Sequence, residues 1–180
     1  AHGSSFFKIA DCIHSRDHLL LAYAADLNGS ERFQIRLRDL AKDIELEDKL
    51  DDAKGDIAWT NDCKSLFYTI LDENHRPFRV MCHKLGQKSK DDKVVYQEDD
   101  PGFFVSLEKS QSGQYIIISA HDHTTTELLL IDANNPETAP RVIAPRKLDV
   151  EYSVAHIDDR LIFLTNAEGA KDFKIVEAPL

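Results

Sequence analysis

No run of apolar residues in this sequence approaches the ~20 needed to span a bilayer. Apolar stretches such as residues 128–131 are a fraction of that length. No transmembrane helix is available. Cysteine is scarce, with Cys12, Cys63 and Cys82 odd in number, widely spaced and free of any C-x-x-C pair. That argues against a disulfide framework and predicts reduced thiols in a cytoplasmic protein. The opening residues Ala1-His2-Gly3-Ser4-Ser5 show neither a basic n-region nor an apolar h-region, so no secretory signal is expected. Without one, Asn28-Gly29-Ser30 reads as a hairpin turn rather than a glycosylation site. Positive charge is also in deficit: 22 Lys plus Arg stand against 32 Asp plus Glu, a net charge of −10 over 180 residues. Coulomb repulsion on that scale opposes phosphate backbones and anionic lipid, which sets nucleic acid and membrane surfaces aside as partners.

No helical stripe is sustained for long either. In its place stand short β-branched and aromatic segments separated by turn residues, the pattern of an all-β chain. Four segments overlay. Residues 6–13, 19–26 and 32–40 form the first, 56–59, 65–72 and 78–85 the second, 103–108, 115–122 and 127–132 the third, and 151–156, 161–166 and 173–177 the fourth. The acidic residues after each second strand, Asp26, Asp72, Asp122 and Glu168, are separated by 46, 50 and 46 residues. Weaker fourth strands fall at 44–46, 94–97 and 141–143.

Four strands recurring at this period mark the blades of a β-propeller, in which sheets that cannot bury both faces alone stack around an axis. Two β-sandwiches are the competing architecture. The fourth copy lacks its last strand, so the sequence predicts about three and a half blades. An open stack exposes apolar faces at both ends, which leads to the expectation of a fragment that self-associates through them. The missing initial Met points the same way.

A more specific likeness lies in the strings themselves. Gly55-Asp56-Ile57-Ala58-Trp59-Thr60-Asn61-Asp62, Ser65-Leu66-Phe67-Tyr68-Thr69, Asp72-Glu73-Asn74-His75-Arg76-Pro77-Phe78-Arg79-Val80 and His83-Lys84-Leu85-Gly86 resemble the N-terminal propeller of the oligopeptidase B group of the prolyl oligopeptidase family. Leu20 to Ala24 and Arg36 to Leu40 resemble the preceding blade, and Phe103 to Leu107, His123 to Glu127 and Leu130 to Ala133 the following ones. Met81-Cys82 and Cys12-Ile13-His14 depart from the pattern. The resemblance implies a seven-bladed propeller capping an α/β-hydrolase domain in a serine peptidase that cuts short peptides after Lys or Arg. The catalytic triad and the acidic pockets for the basic side chain would lie in the hydrolase domain, which is absent from this chain.

The residues agree. A hydrolase of that class needs a G-x-S-x-G elbow to expose its nucleophile, and none occurs; Gly3-Ser4-Ser5 has no following Gly. No catalytic residue and no cofactor is expected here. His121-Asp122-His123 would place two imidazoles on one face if the strand ran through them, a weak candidate metal pair to which His156 could add a third ligand. The acidic runs 45–52 and 98–100 could steer a basic peptide, or be solvated loops. His75-Arg76, in a loop between two strands of the second blade, is a weak candidate for substrate gating, with an interblade ion pair of Arg76 as the structural alternative. Trp59, Phe67, Tyr68, Phe78, Phe103, Phe104 and Phe163 are assigned to blade packing.

Two functions compete. One is the non-catalytic, substrate-gating part of an oligopeptidase B-like serine endopeptidase, partnered by its own hydrolase domain and short basic peptides. The other is a self-standing propeller-like scaffold that binds another protein.

Overall fold

A computed structural model describes residues 6–180; Gly3-Ser4-Ser5 lies outside the described residues. Fourteen strands are present among them. Strands β1 (Lys8–His14), β2 (Leu20–Asp26), β3 (Phe33–Asp39), β4 (Ile44–Trp59), β5 (Ser65–Leu71), β6 (Pro77–Lys84) and β7 (Lys93–Gln97) hydrogen-bond in sequence order. A second sheet holds β8 (Phe104–Lys109), β9 (Tyr115–His121), β10 (Thr126–Asp132) and β11 (Arg141–Ala144), and a third β12 (Tyr152–Ile157), β13 (Arg160–Thr165) and β14 (Lys174–Pro179). Every pairing is antiparallel.

The seven-stranded sheet is two blades fused through β4. The sequence predicts separate strands at 44–46 and 56–59, whereas the chain runs extended through all 16 residues. The first part of β4 pairs with β3 and the last part with β5, the two ladders meeting at Ala53. Positive φ at Asp52 (55°) and Gly55 (120°) turns the strand from one blade into the next. Only glycine suits the second position, since a Cβ there would stand 2.6 Å from the Cβ of Ala10. The run 45–52 is therefore strand rather than solvated loop: Leu46, Asp48 and Leu50 point inward and Glu47, Lys49 and Asp51 outward.

Period-two alternation sends each strand's side chains into two different cores. Ile57, Trp59, Leu66 and Tyr68 join Ala22, Ile35, Leu37 and Leu50 between blades 1 and 2. Their neighbours Ala58 and Phe67 face the other way, against Val105, Leu107, Ile116 and Ile118 of blade 3. Ile117, Leu128 and Leu130 meet Leu161 and Phe163 of blade 4. Three assigned aromatics sit outside these clusters: Phe104 is 40% exposed, Phe78 is flanked by the guanidinium groups of Arg76 and Arg79, and Phe103 is buried under that of Arg146. Their charged neighbours and strand-end positions keep them out of the interblade layers.

One polar cluster penetrates the layer between blades 1 and 2. Nε2 of the buried His83 lies 2.9 Å from Oδ1 of Asp48 on β4, and Nδ1 lies 2.7 Å from Oδ1 of Asp92. The Tyr68 hydroxyl donates to the other Asp92 oxygen at 2.8 Å. Burial opposes the charged imidazole, but the Asp92 and Asp48 carboxylates outweigh it and hold the His83 pKa above its ordinary value.

The two outward faces differ. Blade 4 presents Ile157, Leu164 and Ile175, all exposed. Blade 1 presents Gln34, Arg36 and Arg38, with Arg38 paired to Asp43 and Glu45. Blade 4 fits the expectation of apolar end faces, whereas blade 1 sets Ile9 and Cys12 of β1 beside these polar residues.

Gly55→Ala is expected to destabilise the fold by about 2 kcal/mol through the forced φ and the Ala10 clash, read as a lower urea midpoint. Because the folded pKa of His83 is raised, its stabilisation is complete below the unfolded value near 6.5 and declines as pH rises through the folded value. Unfolding midpoints should therefore fall across that window in the native chain, and that part of the slope should vanish in His83→Gln.

Candidate functional site

The first strand of each blade brings the sequence candidates together. β1, the second half of β4 and β8 lie side by side and run the same way. Trp59 Nε1 donates to the Ile13 carbonyl at 3.0 Å, Leu107 N to Asp56 Oδ2 at 3.1 Å, and Lys109 Nζ to the Trp59 carbonyl at 2.8 Å. At the starting ends of these strands a cavity of about 390 Å³ opens, lined by Lys8, Phe33, Lys54, His75, Phe104 and His121 among others. His75 and His121, 46 positions apart in sequence, thus border one cavity.

The turns around it are built on aspartates that end the second strands. Asp26 Oδ1 accepts from Asn28 N (3.0 Å) and Gly29 N (2.9 Å), and Oδ2 from Glu31 N (2.8 Å). Asp72 Oδ1 accepts from Asn74 N and Arg76 N, and Asp122 Oδ1 from Thr124 N and Thr125 N. Burial raises the Asp26 and Asp72 pKa values, but the backbone donors, joined at Asp72 by Arg76, hold both below the usual carboxylate range. Glu168 breaks the series. It is exposed, at φ 56°, and pairs with Lys174 at 2.5 Å.

His75 occupies the left-handed position of its turn (φ 62°) and is exposed. Arg76 is committed inward. Its Nε pairs with Asp72 Oδ2 at 3.1 Å, and its Nη1 donates to the carbonyls of Asp100 (2.8 Å) and Phe103 (3.0 Å). The ion pair is therefore within its own loop, and the reach towards the next blade is made to backbone carbonyls rather than to a carboxylate. Two residues not singled out from sequence complete this lacing. Arg32 Nη2 donates to the Asp72 carbonyl at 2.7 Å, and Arg146 lies 3.6 Å above the Phe103 ring while pairing with Glu98. The recurrence of an arginine shortly after the anchor aspartate, Asp26 to Arg32 and Asp72 to Arg76, is the sequence signal for the first of them.

The histidine pair does not form as the strand argument requires. β9 ends at His121, Asp122 begins the turn, and His123 is exposed outside the strand. His156 is buried elsewhere, with Nδ1 2.9 Å from the Ser112 hydroxyl and its ring edge-on to Tyr115. Among the described residues no three His, Cys, Asp or Glu side chains gather to hold a metal ion. The acidic runs are likewise drawn into the fold. Asp48 serves His83, Glu45 serves Arg38 and Tyr23, and the buried Glu98 accepts from Tyr96, Asp100 N and Arg146. The three thiols are free, and burial pushes Cys82 up to about 11. Among the described residues no helix is long and apolar enough to cross a membrane.

The sequence model of the prolyl oligopeptidase N-terminal β-propeller domain matches residues 1–180. The chain is 36% identical over 178 residues to dipeptidyl aminopeptidase BI of Pseudoxanthomonas mexicana, covering 98% of this chain and 24% of that protein. It is 33% identical over 166 residues to protease 2 of Moraxella lacunata, covering 91% of this chain and 24% of that protein. Among solved structures, oligopeptidase B from Leishmania major superposes with a TM-score of 0.94 at 27% identity, covering 98% of this chain and 25% of that one. Oligopeptidase B from Trypanosoma brucei, in a closed form with covalently bound antipain, gives 0.89 at 29% identity and the same coverage. The chain spans about a quarter of the length of these relatives.

Removing the Arg76 guanidinium takes a donor from two carbonyls and a carboxylate, so Arg76→Ala should cost about 2 kcal/mol of stability. His75→Asn, which tolerates the same φ at an exposed position, should stay within about 0.5 kcal/mol. Urea unfolding of both variants tests the order.

Proposed function

The chain belongs to the N-terminal β-propeller domain of the prolyl oligopeptidase family, and from that premise we propose that it is the non-catalytic, substrate-gating part of an oligopeptidase B-like serine endopeptidase. Its partner is the α/β-hydrolase domain of the same protein, and its substrates are short peptides cut after Lys or Arg. The observation that carries the gating role is the cavity at the starting ends of the first strands. His75 and His121 border it beside Lys8, Lys54 and Phe104, while Arg76 anchors the His75 loop to the linker that leads into β8. An exposed side chain on an anchored turn can contact a passing peptide without the rim itself deforming. Arg76 thereby acts as a positioning residue, and His75 as the contacting one.

The 180-residue chain contains no nucleophile elbow, so alone it should not turn over a fluorogenic arginyl or lysyl peptide. Turnover abolished by a serine-reactive inhibitor would overturn that. In the protein that carries the chain, N-blocked peptides should be cleaved after Arg or Lys. Cleavage confined to dipeptides released from free N-termini would instead place it with the relative named as a dipeptidyl aminopeptidase. Gating predicts that His75→Asn changes the ratio of kcat/KM for long against short peptides by about threefold or more, with the kcat/KM of the shortest substrate unchanged. An unaltered ratio removes the gating role and leaves the family assignment standing.

A further inference from the structure

At the opposite ends of the same first strands lies a larger cleft, of about 580 Å³, and its chemistry differs from that of the rest of the surface. Ile13, Ile57 and Trp59 contribute an apolar floor, and His14, Arg16 and Lys109 the walls; no Asp or Glu lines it. In a chain of net charge −10, a cleft with two cations and no acid in its lining stands out. Lys109 is held firmly, its Nζ donating to the Trp59 carbonyl and to Asn61 Oδ1, each at 2.8 Å. An ammonium carries three donors, so one remains. Arg16 is exposed and has no carboxylate partner among the described residues. Burial, and then the charge of Arg16, lower the Lys109 pKa against a smaller opposing effect of Cys63, so the two cations are close enough to act on one another. The nearby acids are engaged in the turns: Asp17 Oδ1 accepts from Ser15 Oγ and Leu19 N, and Asp62 Oδ1 from Thr60 Oγ1 and Lys64 N. His14 Nδ1 lies 2.8 Å from the Ser15 carbonyl and donates to it, which leaves Nε2 as the free ring nitrogen.

We propose that this cleft binds the carboxylate of a small amphipathic anion, with the C-terminus of a short peptide as the form that fits best. The carboxylate sits between Lys109 and Arg16, where it neutralises two confined like charges and takes charge-assisted hydrogen bonds from both. The apolar floor receives the last side chain, and Gln114, which also lines the cleft, meets the preceding peptide group. The site is separate from the gating cavity, which lies at the other end of the same strands.

Trp59, the single tryptophan of these 180 residues, lines the cleft and supplies a local probe. The protein carrying this chain, labelled with 5-fluorotryptophan and with the Trp59 resonance assigned through Trp59→Phe, is titrated at constant ionic strength. The ligands are N-acetyl-glycyl-leucine, its C-terminal amide, and hexanoate. The free acid should shift the Trp59 ¹⁹F resonance saturably, and the amide should bind about tenfold more weakly or not at all. Arg16→Gln, at an exposed position that leaves the fold intact, should weaken the acid about tenfold, and Lys109→Gln should do the same. Hexanoate equal to the peptide acid identifies a general carboxylate site; weaker hexanoate identifies a peptide terminus. Equal binding of acid and amide, no saturable shift, or an unchanged affinity in Arg16→Gln overturns the proposal.

Discussion

The inner blades of this chain are sheets with two apolar faces, and nothing in one sheet can cover both. Face-to-face burial between neighbouring blades is the constraint on which the other features depend. It explains why successive side chains such as Trp59 and Ala58, or Ile116 and Ile117, enter different cores. It also explains why the polar cluster trapped between blades 1 and 2 is mutually engaged. His83, Asp48, Asp92 and Tyr68 satisfy one another because a buried group left unpaired in that layer would cost more than its bond returns. The fusion of blades 1 and 2 through β4 follows from the same constraint. The strand must leave one sheet and enter the next within a few residues, and Gly55 provides the backbone freedom where Ala10 leaves no room for a Cβ.

Stacking blades in this way aligns their first strands and so creates two ends with different chemistry. At one end, aspartates tie off the turns and arginines lace those of blades 1 and 2 to the chain that follows, so that exposed residues such as His75 stand on a rigid base. At the other, the turns are closed by hydroxyls: Ser15 Oγ, Thr60 Oγ1 and Ser110 Oγ each accept from the backbone N–H five residues on. The proposed gating rim occupies the first end and the proposed carboxylate cleft the second. Both draw their precision from short turns whose backbone donors are already satisfied.

Most of the architecture was legible because it is local. Alternation over five to eight residues marks strands, and the acidic residue after each second strand marks a turn, so the repeat could be counted from Asp26, Asp72 and Asp122. Where a residue's local signal and its tertiary use diverge, sequence misleads. Residues 45–52 look like a solvated charge run, yet Asp48 is buried against His83, a partner 35 positions away. His121 and His123 look like a same-face pair, yet the strand stops between them because Asp122 bonds the backbone of the turn.

By itself, then, the sequence determined the all-β class, the blade period, the absence of a hydrolase elbow and the identity of the turns, since each of these rests on neighbours within a few residues. Only the tertiary structure decided which charges are spent on packing and which are left facing a cleft. Arg76 and Arg16 are indistinguishable as isolated arginines. The first is consumed by two carbonyls from the linker that leads into β8, and the second faces a cleft with no acid in its lining. That difference comes from contacts made when separate blades stack, which no local pattern encodes.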